Sequence, residues 1–251
     1  MSEDITHILK SWKNVSGKEI TVRMISGDDG TPKIQMRIDM GVIQMELDGN
    51  PSGEKPEGHE SWLQYFEHKR QEYESGHVDD YYSLSPGDFR KLRHEGVQYY
   101  YRYLSLMELD DFVRVVRDTD RNLRLFAFVK KFAASEMDRW SLDQFRPYVI
   151  MMNTRAKASL LLKEDPAQGV EKSIEMFDYG IGRIMNFYKE YGLEEEIENS
   201  VEMSVLKALK NEFISSAPDT LQSKLQKAVS EERFEDAAAI RDELKGKRKN
   251  T

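Results

Sequence analysis

The sequence predicts a mainly α protein with a small N-terminal antiparallel β-sheet, an α+β arrangement with helical hairpins in its centre and another helical hairpin at its C-terminal end. Three observations carry this prediction. Residues 20–47 alternate apolar and polar side chains with period two, the chain after Ser85 is dominated by apolar positions at helical spacing, and the segment from Leu221 holds two short amphipathic runs separated by SEER. The expected units are 1–84 (sheet plus helix), 85–214 (a bundle of helical hairpins, similar to a tetratricopeptide array though without a strict repeat period) and 218–251 (the terminal hairpin).

The elements follow in order. Ile5, Ile8, Leu9 and Trp12 share a stripe on a short opening helix. Ile20, Val22 and Met24, then Ile34, Met36, Ile38 and Met40, then Ile43, Met45 and Leu47 mark three strands, with GDDG at Gly27 and a glycine at Gly41 as the reversals. Three short strands with one apolar face need a covering layer, which the helices must supply. The Gly- and Pro-rich loop from Gly49 to Gly58 precedes a helix beginning near Glu60 or Ser61 and ending at Gly76. SPGD at Ser85 gives a serine cap and a first-turn proline. SLDQ at Ser141 reads as a capping box opening the next helix, with the long helix running from about Tyr148 to Leu162 past Pro147. DPAQ at Asp165 opens a helix sustained to Gly192, the acidic run from Glu194 opens another, and SSAPD from Ser215 to Asp219 is the last linker.

Composition excludes several chemistries. The 251 residues contain no cysteine, which removes disulfide frameworks, thiolate nucleophiles and cysteine-ligated metal centres. The 37 Lys+Arg against 45 Asp+Glu give a net charge of -8, which lowers the expectation of nonspecific nucleic-acid binding. The opening MSEDITHILKSW has acidic residues where a secretory leader would need basic ones, so a cytoplasmic location is expected. The most apolar stretch, from Tyr148, is interrupted by Arg155 and Lys157, and no membrane span is expected. No GxxxxGK[ST] or GxSxG occurs, and GDDG does not join a strand to a helix as a phosphate cradle would.

In the terminal segment Leu221, Leu225 and Ala228 form one apolar stripe, while Phe234, Ala237, Ala238, Ile240 and Leu244 mark the second helix. The alanines let two backbones approach, and Phe234 is expected to fill the gap near the turn. Helices this short bury too little to be stable separately, so a partner surface is needed. With Glu231, Glu235, Arg241 and Asp242 added, this pattern resembles the UVR motif of excinuclease subunits B and C and of the activator protein of the bacterial arginine-kinase and Clp protease system. The resemblance covers only the tail. It implies an antiparallel hairpin that mediates protein contacts, self-association included, with no catalytic residue. The body departs from those proteins: it has neither a helicase ATP site nor the paired cysteines of the activator, and QMRIDMGVIQMELDG with its following loop is similar to bacterial proteins known only as carriers of the motif.

The function expected is therefore a non-catalytic interaction or adaptor protein whose partner, another protein or a second copy, engages Leu221, Leu225, Ala228, Phe234, Glu235, Ala238, Arg241, Asp242 and Leu244. A DNA-repair accessory role, with Lys245, Lys247, Arg248 and Lys249 reaching phosphates, is the first alternative. An enzyme using the polar sheet face, where Arg37, Asp39, Gln44 and Glu46 could pair across strands about 5 Å apart, is the second and weaker class. No catalytic residue, cofactor or metal is assigned. His77, Asp79 and Asp80 form only a loop cluster; His59 and His68, nine residues apart, would face opposite sides of a helix. Tyr99, Tyr100, Tyr101 and Tyr103 are expected in helix packing rather than in base stacking.

Overall fold

The computed structural model describes residues 4–12, 20–76, 81–165, 169–216 and 221–249. The chain divides into two compact units, Met1–Val149 and Ile150–Thr251. In the first unit a short helix α1 (Thr6–Ser11) precedes the strands β1 (Thr21–Ser26), β2 (Pro32–Ile38) and β3 (Gly41–Glu46), which pair antiparallel in the order β1-β2-β3. The register sets Val22 opposite Met36, Met24 opposite Ile34, and Met36 and Ile34 opposite Ile43 and Met45. The period-two pattern thus becomes one apolar face, with Ile34, Met36 and Met45 buried. Gly30 takes φ 77 in the first reversal, a conformation that costs glycine nothing.

Helices α2 (Trp62–Gly76), α3 (Pro86–Glu108) and α4 (Phe112–Phe132) complete this unit with α5 (Glu136–Asp143). The side chain of Ser85 accepts from the Asp88 amide and the Asp88 carboxylate accepts from the Ser85 amide, a reciprocal cap with Pro86 in the first turn. Helix α3 packs on β1 and β2 and, most extensively, on α4. Helix α3 thus supplies the layer that covers the sheet. The SLDQ assignment is corrected. Ser135, accepting from the Asp138 amide, starts α5, while Ser141 lies inside it and donates its hydroxyl to the Asp138 carbonyl. Two serines fit the same spacing rule; Ser135, followed by two acidic residues in Glu136 and Asp138, took the cap, while Ser141 is followed by Asp143 alone.

Helix α6 (Arg146–Glu164) tolerates Pro147 because a first-turn residue needs no intrahelical donor. The second unit continues with α7 (Gly169–Glu190), a 3₁₀ turn at Glu194–Asn199, α8 (Val201–Ser216), and the terminal pair α9 (Leu221–Ser230) and α10 (Phe234–Lys249). The terminal pair lies within this second unit. Of DPAQ and SSAPD, residues 166–168 and 217–219 lie outside the described residues. Phe177 of α7 meets Phe213 of α8 edge-on at 5.2 Å between ring centroids, and the buried Ser173 hydroxyl donates to the Ala158 carbonyl at 2.8 Å.

Gly169 sets how closely α7 approaches α6. A Cβ there would lie 2.8 Å from Leu162 Cα, and closer still to the Leu161 carbonyl oxygen, so only backbone movement could accommodate it. Gly169→Ala is expected to destabilise the second unit by about 1–3 kcal/mol, as overpacking does. Thermal unfolding followed by circular dichroism checks this; an unchanged midpoint contradicts it.

Candidate functional site

The terminal hairpin is built around two alanines. Ala228 of α9 is fully buried and Ala237 of α10 is 7% exposed, which brings the helices together. The reversal between them is a Schellman turn. Glu232 has φ 56 and donates its amide to the Val229 carbonyl, while the Arg233 amide donates to the Ala228 carbonyl at 2.8 Å. Arg233 locks the corner through Glu231 at 2.8 Å and Asp236 at 2.7 Å.

Phe234 does not fill the gap near this turn, contrary to the expectation: it is 66% exposed, and Val229 is 51% exposed. The two alanines supply the contact between the helices, and the ring stands outside it. Leu221, Leu225 and Ala238 are half-buried, and Glu235, Arg241 and Asp242 are exposed. Arg241 and Asp242 stand 3.5 Å apart, a neighbouring pair in open solvent. Leu244 and the basic residues Lys245, Lys247, Arg248 and Lys249 lie on α10.

The polar sheet face exists, with different partners from those expected. Lys33 pairs with Glu46, the Gln35 amide donates to Gln44 at 2.9 Å, and Arg23 donates to Gln35 at 2.6 and 2.9 Å. Arg37 stands opposite Val42 and donates instead to the backbone carbonyls of Asp39 and Gly41. Asp39 belongs to the turn rather than the face, because the strand ends one residue earlier than its charge pattern suggested. Arg37 is 7% exposed, and its Nε has no acceptor among the described residues.

A buried ionic network in the first unit was not anticipated. Arg102 of α3 makes a bidentate pair with Asp118 of α4, at 2.7 and 2.9 Å, and its third nitrogen donates to the carbonyls of Glu46 and Gly49. Glu95, also on α3, accepts from the Trp62 and Leu63 amides, so it caps α2 across the fold, and it pairs with Arg121 of α4. Tyr99 lies between the two guanidinium groups, 4.8 Å from Arg102 and 3.9 Å from Arg121. The network fastens the end of β3 and its loop to both helices. The signal in the sequence was Arg114, Arg117, Arg121 and Arg124 at helical spacing, which looks the same as a solvated charged face until the partners are known.

At the edge of this network Asp48 accepts from Arg114 at 2.9 and 3.1 Å and from Arg117 at 2.5 Å. The Arg114 bonds, with those of Arg117, hold its carboxyl down at about 2 from an ordinary 3.8. A depressed folded-state value means that stability is present above the unfolded value and is lost as pH falls through the folded one. The first unit is therefore expected to lose stability between about pH 4 and pH 2, with a shallower slope in Asp48→Asn. Equal slopes in acid titrations of the two proteins contradict this.

The tyrosines pack as expected: Tyr99 and Tyr103 are buried, and Tyr100 meets Tyr103 and Tyr148 at ring distances of 5.6 and 6.0 Å. Burial pushes the Tyr103 hydroxyl well above its ordinary range. His59 and His68 do not face apart. His59 is extended backbone before α2, and the two rings lie 5.5 Å apart. His77, Asp79 and Asp80 lie outside the described residues, and among the described residues no three His, Asp or Glu side chains are grouped to hold a metal ion.

These features define a mainly helical protein with a small N-terminal sheet that ends in an antiparallel helical hairpin. That hairpin is what known proteins share with it: the family model described as the UvrB/uvrC motif matches residues 219–250. No curated protein and no solved structure matches the chain. Among the described residues no helix is long and apolar enough to cross a membrane.

Proposed function

We propose that this is a non-catalytic interaction or adaptor protein, acting in the cytoplasm through its C-terminal hairpin. The exposed Phe234 at the turn of the hairpin, with the 51% exposed Val229 at the end of the preceding helix, carries this reading. An aromatic ring held on a defined turn and open to solvent is the kind of anchor that dominates interface energy. Leu221 and Leu225 add half-buried apolar surface farther along α9, and the exposed Glu235, Arg241 and Asp242 of α10 supply charges that set register and suppress wrong partners. The occupant is another protein or a second copy of the chain. Affinity capture with the full chain and with a chain lacking residues 218–251 tests this: a partner retained only by the full chain supports it, and identical retention by both contradicts it.

The basic run Lys245, Lys247, Arg248 and Lys249, together with the excision-repair proteins named in the motif, favours a second reading as a DNA-repair accessory factor. Its signature is DNA binding that falls steeply with salt and disappears with the same deletion.

A further inference from the structure

Helix α4 carries a cationic stripe that the hairpin reading does not use. Arg117, Arg121, Arg124 and Lys131 recur at steps of four, three and seven, which returns them to one helical face. Two clefts that share Arg124 lie along this stripe, one lined also by Gln64 of α2 and the other by Glu67, Arg70 and Gln71 of the same helix. The inner cleft, of about 190 Å³, belongs to the buried network, and its cations are engaged by Asp118, Asp48 and Glu95.

The outer cleft differs. Its volume of about 490 Å³ falls within the range of small-molecule sites. Its walls bring Arg70, Arg124 and Lys131 together against one carboxylate, Glu67, over a floor that includes Phe128 and Phe132. Arg124 bonds Glu67 at 3.1 Å and Arg70 bonds Glu74 at 2.6 Å. Lys131 has no carboxylate partner among the described residues; its ammonium lies 5.1 Å from the Phe132 ring centroid, and the Arg70 guanidinium is 5.7 Å from that ring.

We propose that this outer cleft binds a small amphipathic anion, a phosphate or carboxylate head on an aromatic body. The head takes the unneutralised charge of Lys131 with help from Arg124, and the body covers the Phe132 ring. A bare inorganic anion would leave the apolar floor in water, and a neutral aromatic would leave Lys131 unmatched. A long polyanion is disfavoured because the next cations along the stripe are already paired and the protein is acidic overall.

Calorimetric titration of the full chain with phenyl phosphate tests this, with inorganic phosphate and benzyl alcohol as partial probes. Saturable one-site binding of phenyl phosphate, tighter than either partial probe and weakened about tenfold in Lys131→Gln, is the expected result. The Lys131→Gln and Arg124→Gln side chains are exposed positions, so circular dichroism should show both variants folded. Absence of saturable binding overturns the proposal, as does undiminished binding by the double variant. Binding of a single-stranded oligonucleotide that Lys131→Gln abolishes, without any binding of phenyl phosphate, also overturns it.

Discussion

Replacing Arg102 by alanine is expected to destabilise the first unit by about 3–5 kcal/mol, the cost of breaking a buried ion pair from one side. Both members of the pair are only 1% exposed. Truncation strands Asp118, with Arg117 at 2.8 Å as its remaining cation, and leaves the Glu46 and Gly49 carbonyls without the donor that holds the β3 loop. Arg102→Lys should rescue little, because an ammonium cannot reproduce a planar fork that reaches a carboxylate and two carbonyls at once. Removing both charges, as in Arg102→Met with Asp118→Leu, should recover much of the loss, since the desolvation cost disappears with the pair. Alanine at the exposed Arg93 on the same helix should change stability by less than about 0.5 kcal/mol. Trp12, Trp62 and Trp140 all lie in the first unit, so tryptophan fluorescence during urea unfolding reports on that unit alone.

What the sequence revealed was what local physics determines. The alternation from Ile20 to Leu47 specified three strands and the face they bury, and Ser85 with Pro86 and Asp88 specified a helix start, because each pattern is satisfied within a few residues of itself. SLDQ misled because Ser135 and Ser141 both satisfy the local rule, and only the competition between them decides. The Arg102–Asp118 pair was illegible for a different reason. Its members sit on separate helices, and a buried arginine and a solvated one have the same sequence signature until the fold brings a carboxylate to it. The hairpin was legible as a unit, whereas the direction taken by Phe234 was not, since that depended on how tightly Ala228 and Ala237 let the helices close.

The second large effect is expected at that residue. Phe234→Ala should weaken binding of the captured partner, or of a second copy, by about 1–3 kcal/mol, the range of an aromatic anchor at an interface centre. Because the ring is mostly exposed in the free chain, the same change should alter the stability of the hairpin and of the body by no more than about 0.5 kcal/mol. The combination distinguishes a binding residue from a packing one: calorimetry shows the loss and thermal unfolding does not. Equal affinity of variant and parent contradicts the role assigned to this side chain.

The adaptor reading depends on a terminal hairpin that buries too little of its own apolar surface to be secure without a docking surface. Amide hydrogen exchange across Leu221–Lys249 in the dilute full-length protein measures that directly. The account predicts that these amides exchange orders of magnitude faster than those of Leu92–Leu106 in α3, each tenfold corresponding to about 1.4 kcal/mol of local opening free energy. Protection in the hairpin equal to that of α3, with no partner present, would contradict it.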